Sequence, residues 1–166
     1  MDAPRVAYSF FCDDIRQEVG GKTTFVGIYH GDIIFSAPKP VMYPRLCANV
    51  VIISEPDDAP QFFTVRMLGP DKKEIFKTGK IGTDQIPKMQ HAEGALKTVL
   101  NFGFQVSPIQ LTEEGFIEVW VETEREKMRA GRLYVSFREP EKPNKLKETA
   151  AKRPAKKAGK KASRDK

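Results

Sequence analysis

Asp13, Asp14, Glu18, His30 and Asp32 are the side chains whose types could move a proton or hold a metal, and all fall between Phe10 and Phe35. Carboxylates near a histidine could in principle supply a general acid and base or metal ligands. Their geometry depends on a hairpin. Gly20-Gly21 accepts the positive φ of a tight turn. If these two residues form the loop, Ile15 faces Val26, Asp13 faces Ile28, and Asp13 and His30 become diagonal neighbours on one face. No nucleophile stands at a recognisable spacing from a base, and no phosphate loop or metal motif accompanies them. The two cysteines, Cys12 and Cys47, and the two histidines, His30 and His91, are too scattered for a zinc site. The expectation is therefore that Asp14, Arg16 and Glu18 line a solvent face, that Asp13 and His30 share a structural hydrogen bond, and that there are no catalytic residues, bound metal or cofactor. A metal-dependent hydrolase built on the Asp13/His30 region is the lesser alternative.

The second candidate group is aromatic. Ile117, Val119 and Val121 form one apolar row, and Leu133, Val135 and Phe137 another. Matching Val121 to Leu133 pairs Val119 with Val135 and Ile117 with Phe137. On the opposite face the same register sets Trp120 against Tyr134, Glu122 against Arg132 and Phe116 against Arg138. Opposite charges and aromatics are pairs that stabilise a ladder. Phe116, Trp120 and Tyr134 would then project from the face opposite the core, where large aromatics serve as interface anchors.

Strands are needed to position both groups. Val6, Tyr8, Phe10 and Cys12 alternate with Ala7, Ser9 and Phe11. A second strand from about Lys22 to Phe35 contains Gly27 and Gly31, either of which suits a bulge or a close backbone approach. Leu46 to Ile53 is apolar at nearly every position, as expected of a central strand covered on both faces. Phe63, Val65 and Met67 recur at period two. Gly69-Pro70-Asp71-Lys72 turns the chain, and Glu74 to Lys80 returns. Residues 81–95 have no period and read as a long loop. Leu100, Phe102, Phe104 and Val106 give the cleanest alternation in the chain. About eight strands and no helix predict an all-β fold, an antiparallel β-sandwich over residues 1–139. An immunoglobulin-like arrangement is one form of it, although the Cys and Trp spacing of antibody domains is absent.

The run Cys12-Asp13-Asp14-Ile15-Arg16-Gln17-Glu18, followed by Gly21-Lys22, Gly27-Ile28-Tyr29 and Gly31-Asp32-Ile33, resembles the opening hairpin of a bacterial and phage domain-of-unknown-function family. The likeness continues more weakly from Gly115 to Phe137 and leaves out the C-terminal residues. It implies an all-β domain and brings no functional residues with it.

Charge divides the chain. Residues 1–139 hold 17 basic and 19 acidic side chains, whereas residues 140–166 hold 11 and 3. The body therefore has no bias toward polyanions, and the basic excess belongs to the tail. Apart from Leu146 that tail has no large apolar residue, so it is expected to stay disordered. Lys152-Arg153, Lys156-Lys157 and Lys160-Lys161 recur every four residues, with Arg164 beyond them, a composition similar to linker-histone tails. Such residues neutralise phosphates without regard to sequence. Two cysteines in apolar runs read as buried free thiols, with a cross-strand disulfide as the alternative. No signal peptide and no membrane-length apolar run is visible, which predicts a cytoplasmic protein without membrane contact. The sequence as a whole predicts a non-enzymatic protein that binds an unknown protein partner or itself, with nonspecific nucleic-acid affinity in the tail. A phage or bacterial assembly component is the alternative.

Overall fold

A computed structural model describes residues 4–85 and 97–138. Thirteen strands occur among the described residues: β1 (Val6–Cys12), β2 (Asp14–Gln17), β3 (Thr23–Val26), β4 (Asp32–Phe35), β5 (Val41–Tyr43), β6 (Leu46–Ser54), β7 (Phe62–Leu68), β8 (Glu74–Lys77), β9 (Ile81–Gly82), β10 (Thr98–Val106), β11 (Ile109–Leu111), β12 (Gly115–Thr123) and β13 (Lys127–Phe137). One sheet has the order β1-β6-β10. The larger has the order β4-β13-β12-β7-β8, with β9 also paired to β7. Two small ladders, β2-β3 and β5-β11, complete the set.

Period-two patterning decides which side chains meet. Ala48, Val50 and Ile52 of β6 and Phe104 of β10 face Phe63, Val65 and Met67 of β7, Ile117, Val119 and Val121 of β12, and Leu133 and Val135 of β13 in one core. Phe102 and Phe104 of β10 reach across the sandwich to Phe63 and Phe76, with ring centroids 5.9 and 4.5 Å apart. Ile109 and Leu111 of β11 are buried and close one end of this core.

The strand order is that of an immunoglobulin-like sandwich. β1, β6 and β10 take the places of strands A, B and E, and β8, β7, β12 and β13 those of C′, C, F and G. The antibody signature is missing because β6 carries Cys47 while β12 carries no cysteine, and because the one tryptophan lies on β12 instead of β7. β4 adds a strand parallel to β13, an exception to an otherwise antiparallel pattern.

Leu46–Ser54 is central, as its composition requires, with β1 and β10 on either side. Its outer side is covered partly by the β2-β3 hairpin, which leaves the sandwich after Cys12 and folds back. Phe25 meets Phe10 edge-to-face at 4.8 Å, and Ile15 packs over Gly103.

Both expected hairpin registers are corrected. In the first, Ile15 pairs with Phe25 and Gln17 with Thr23, and Glu18 N–H donates to the Lys22 carbonyl at 2.7 Å. Val19, Gly20 and Gly21 therefore form a three-residue loop, with φ of 84° at Gly20 and 76° at Gly21. The expected strand from Lys22 to Phe35 is two strands, separated where Gly27 and Gly31 take φ of 67° and 137°. In the closing hairpin, Phe116 pairs with Tyr134, Ile117 with Leu133 and Glu118 with Arg132. After a bulge at Val119/Trp120, Trp120 pairs with Arg129 and Glu122 with Lys127. The turn is shorter than expected because the charged stretch from Lys127 continues β13 instead of forming loop.

Candidate functional site

The most constructed polar cluster lies where β1 gives way to the opening hairpin. Asp13 N–H donates to the Val26 carbonyl and Tyr29 N–H donates to the Phe11 carbonyl, each at 2.9 Å. The chain between Val26 and Tyr29 bends through Gly27, which is in the left-handed region that glycine adopts without strain. Asp13 fills the space a side chain would need there, since a Cβ at residue 27 would lie 2.7 Å from its Cγ. One carboxylate oxygen of Asp13 accepts from the Tyr29 hydroxyl and from the Tyr43 hydroxyl, the latter at 3.1 Å, and the two hydroxyls are 2.5 Å apart. Tyr43 comes from β5, so the cluster ties the hairpin to the small ladder that closes the core.

Burial, and then hydrogen bonding to Asp13, push the Tyr29 phenol well above its ordinary value. Burial raises Tyr43 as well, against the opposing effect of its bond to Tyr29. Both phenols are protonated at neutral pH, and their two protons are shared among three close contacts, two to Asp13 Oδ1 and one between the hydroxyls themselves. Beside it, a hydrogen bond from Arg16 holds the Asp14 carboxyl below its ordinary range, with Arg45 3.2 Å away on its other oxygen. Cys12 and Cys47 stand directly opposite each other on β1 and β6, both buried and both free. Burial pushes the Cys12 thiol up to about 11 and raises Cys47 too, in each case away from the nucleophilic thiolate.

The expected Asp13/His30 pairing does not form. The true register moves residue 30 out of the ladder, where His30 is exposed and outside any strand, while Asp13 turns to the tyrosines. Among the described residues no three His, Cys, Asp or Glu side chains gather as a metal site.

The aromatic group is split. Phe116 and Tyr134 face each other across β12 and β13, edge-to-face at 5.0 Å, with the Arg132 guanidinium 4.4 Å from the Phe116 ring. Tyr134 is 37% exposed, and Ile34 on the adjoining β4 is 40% exposed. Trp120 instead sits between Arg129 and Arg66 on the neighbouring strands, under the Lys127 ammonium at 5.3 Å. Its indole N–H donates to Glu118 at 3.4 Å. Around it run ion pairs from Arg66 to Glu74 and Glu122, from Lys127 to Glu122, and from Lys72 and Arg129 to Glu118. Burial raises the Glu118 carboxyl, but bonds from Lys72 and Trp120 and the nearby cations outweigh it and hold it low. Phe116, Trp120 and Tyr134 do share the face opposite Val119 and Val135, as expected.

Arg5 has no counterpart in the sequence reading. It is buried and donates to the Asp58 carbonyl at 2.8 Å, with its guanidinium 2.7 Å from Glu124. It joins the start of β1 to the β6-β7 and β12-β13 connections at the other end of the sandwich. Its only local signal is a charged residue directly before an apolar strand.

Lys152, Arg153, Lys156, Lys157, Lys160, Lys161 and Arg164 lie outside the described residues, as does most of the expected 81–95 loop. No helix among the described residues is long and apolar enough to cross a membrane. Comparison with known proteins gives one family match: the model described as a family of unknown function, DUF6941, covers residues 7–136. This span includes both hairpins that carried the resemblance and stops before the basic tail. No curated protein matches the chain.

Proposed function

The chain belongs to DUF6941, a family of unknown function, and we propose that it is a non-enzymatic module that binds a macromolecular partner through the Phe116–Tyr134 patch. The observation that carries this reading is the composition of that patch. A Phe–Tyr pair, an arginine over its ring and an exposed Ile34 form an aromatic and apolar surface at the margin of a sheet face otherwise occupied by ion pairs. Tyrosine, phenylalanine and arginine are the types enriched where interfaces concentrate their energy. Trp120 is a rim contributor in this reading, since Lys127 covers it. The engagement of Asp13 Oδ1 by two tyrosine hydroxyls and the upward shifts of the tyrosines and thiols support binding over catalysis.

The basic tail adds nonspecific affinity for nucleic acid or another polyanion in this reading, supported by the 11 basic against 3 acidic residues of 140–166. Affinity capture with the full chain and with F116A/Y134A, each with and without nuclease, tests both parts. Partners retained after nuclease treatment and lost from the double variant support the patch. If the variant retains every nuclease-resistant partner, the patch is not the site. Truncation after residue 139 should abolish duplex binding, whose slope of log K against log salt in the full chain is expected at roughly −5 to −7. A truncated body that still binds would remove the tail from the reading.

A further inference from the structure

We infer that Cys12 and Cys47, directly opposite each other on β1 and β6 beneath the start of the β2-β3 hairpin, form a reversible dithiol–disulfide pair whose oxidation by a small-molecule disulfide loosens that hairpin. The device is separate from the Phe116–Tyr134 patch and does not depend on it.

Register puts the two sulfurs within reach. Cys12 and Cys47 are cross-strand partners at the end of the β1-β6 ladder, and both are free thiols. The Phe11 carbonyl accepts from Tyr29 N–H and Asp13 N–H donates to the Val26 carbonyl, so these flanking residues turn their polar groups away from β6 and Cys12 turns its own toward it. Cys12 and Cys47 are therefore a hydrogen-bonded pair, whose Cα atoms stand about 5.5 Å apart, inside the range that a disulfide spans. After burial, the charge of Cys47 is the next cause of the upward shift at Cys12, as expected of neighbouring sulfurs on one face.

Their cover makes the pair addressable. Both are buried, yet neither belongs to the core between the sheets: Phe11 and Ala48 face that core, and Cys12 and Cys47 alternate to the outer side. There the Asp13 carbonyl accepts from Cys47 Sγ at 3.5 Å, and Ile15 lies over Gly103 of the adjoining β10. Two four-residue strands open at lower cost than the sandwich unfolds, and lifting them uncovers the thiols.

Oxidation proceeds by exchange. The Cys47 thiolate attacks one sulfur of the reagent and releases its other half as a thiol. Cys12 then displaces the second half, so that two protons and two electrons leave the pair and the reagent is reduced to two thiols. Opposite Cβ atoms on paired strands stand farther apart than those of a relaxed disulfide, so closure draws the strands together and leaves a bond that is easily reduced. It also removes the hydrogen with which Cys47 donates to Asp13, the residue that ties the hairpin to Tyr29 and Tyr43.

The unmodified chain, incubated folded with oxidised glutathione and trapped with a maleimide after denaturation, tests the inference. It should lose both alkylatable thiols faster than it unfolds globally, keep its own mass less two hydrogens, and recover both thiols in dithiothreitol. C12A and C47A should form no internal bond. In the oxidised chain the amides from Asp14 to Val26 should exchange several-fold faster than in the reduced chain. Four results would each overturn the inference: thiols that stay alkylatable in the folded chain while the urea-unfolded chain oxidises, oxidation no faster than global unfolding, an end state that carries bound glutathione, or hairpin exchange indifferent to the disulfide.

Discussion

The opening and closing hairpins were both expected in the wrong register, yet the two errors differ in consequence. In the closing hairpin the true pairing is displaced by an even number of residues through Val119, so Ile117, Val119, Leu133 and Val135 stay buried and Phe116 and Tyr134 stay on the opposite face, while beyond it the bulge absorbs the extra residue and Trp120 keeps its side. In the opening hairpin it is displaced by one residue, an odd slip, which exchanges facing partners and separates Asp13 from His30. Side chains alternate with a period of two, so only odd slips invert a face. The closing register is supported by a buried row and by charge pairs spread along two long strands. The opening register is a short ladder held by a few contacts: Phe25 on Phe10, Ile15 over Gly103, and Asp13, which packs on bare Gly27 and bonds to two tyrosine hydroxyls.

That contrast is broken most directly at Gly27. G27V forces a β-branched residue into positive φ and into the space of the Asp13 carboxylate, so it should cost about 3 kcal/mol or more or prevent folding. An unchanged urea midpoint would show that Asp13 is not anchored there. In the closing hairpin, V119A should cost about 1–3 kcal/mol as a core truncation, and W120A should cost less, because the half-buried indole is only partly removed from water. The opposite order in urea denaturation would mean that the two faces are exchanged.

The tyrosine anchor makes a pH-dependent prediction. Tyr29 and Tyr43 are both raised in the folded state, so their contribution is fully present below the ordinary tyrosine value of about 10 and is lost as pH rises toward the folded values. The chain should lose stability above about pH 10 more steeply than Y29F/Y43F, measured as urea midpoint against pH. The double variant itself should be weaker at neutral pH by about 1–3 kcal/mol, since the Asp13 carboxylate loses its donors. Parallel profiles would remove the tyrosines from the anchor. The smallest effect belongs to K127A. Its pair with Glu122 and its contact with Trp120 are partly exposed, and the loss should stay within about 1 kcal/mol. A larger thermal shift would mean that the closing hairpin depends on this one pair more than on its buried row.

Several features were legible in the chain. The doubly covered strand Leu46–Ser54 could be read from its unbroken apolar run, the inward row of β10 from its alternation, and the burial of Val119 and Val135 from theirs. Gly27 and Gly31 were recognisable as special backbone positions, although which of bulge or close approach applied was not. The family resemblance likewise agreed with the match over residues 7–136. By contrast, Arg5 and Tyr43 carried no signal, because their partners Asp58, Glu124 and Asp13 are far away in the sequence.

The sequence by itself determined the all-β class, the faces of the long strands and the division into a neutral body and a basic tail. These follow from side-chain type at a fixed local period and from composition, neither of which needs a partner strand. Tertiary structure alone decided the registers, the parallel pairing of β4 with β13, the fold of the β2-β3 hairpin over the outer side of β6, and the meeting of Asp13 with Tyr29 and Tyr43. Each of these is a choice among pairings whose local patterns are equally good. The choice is made by which distant groups can be buried and hydrogen-bonded together.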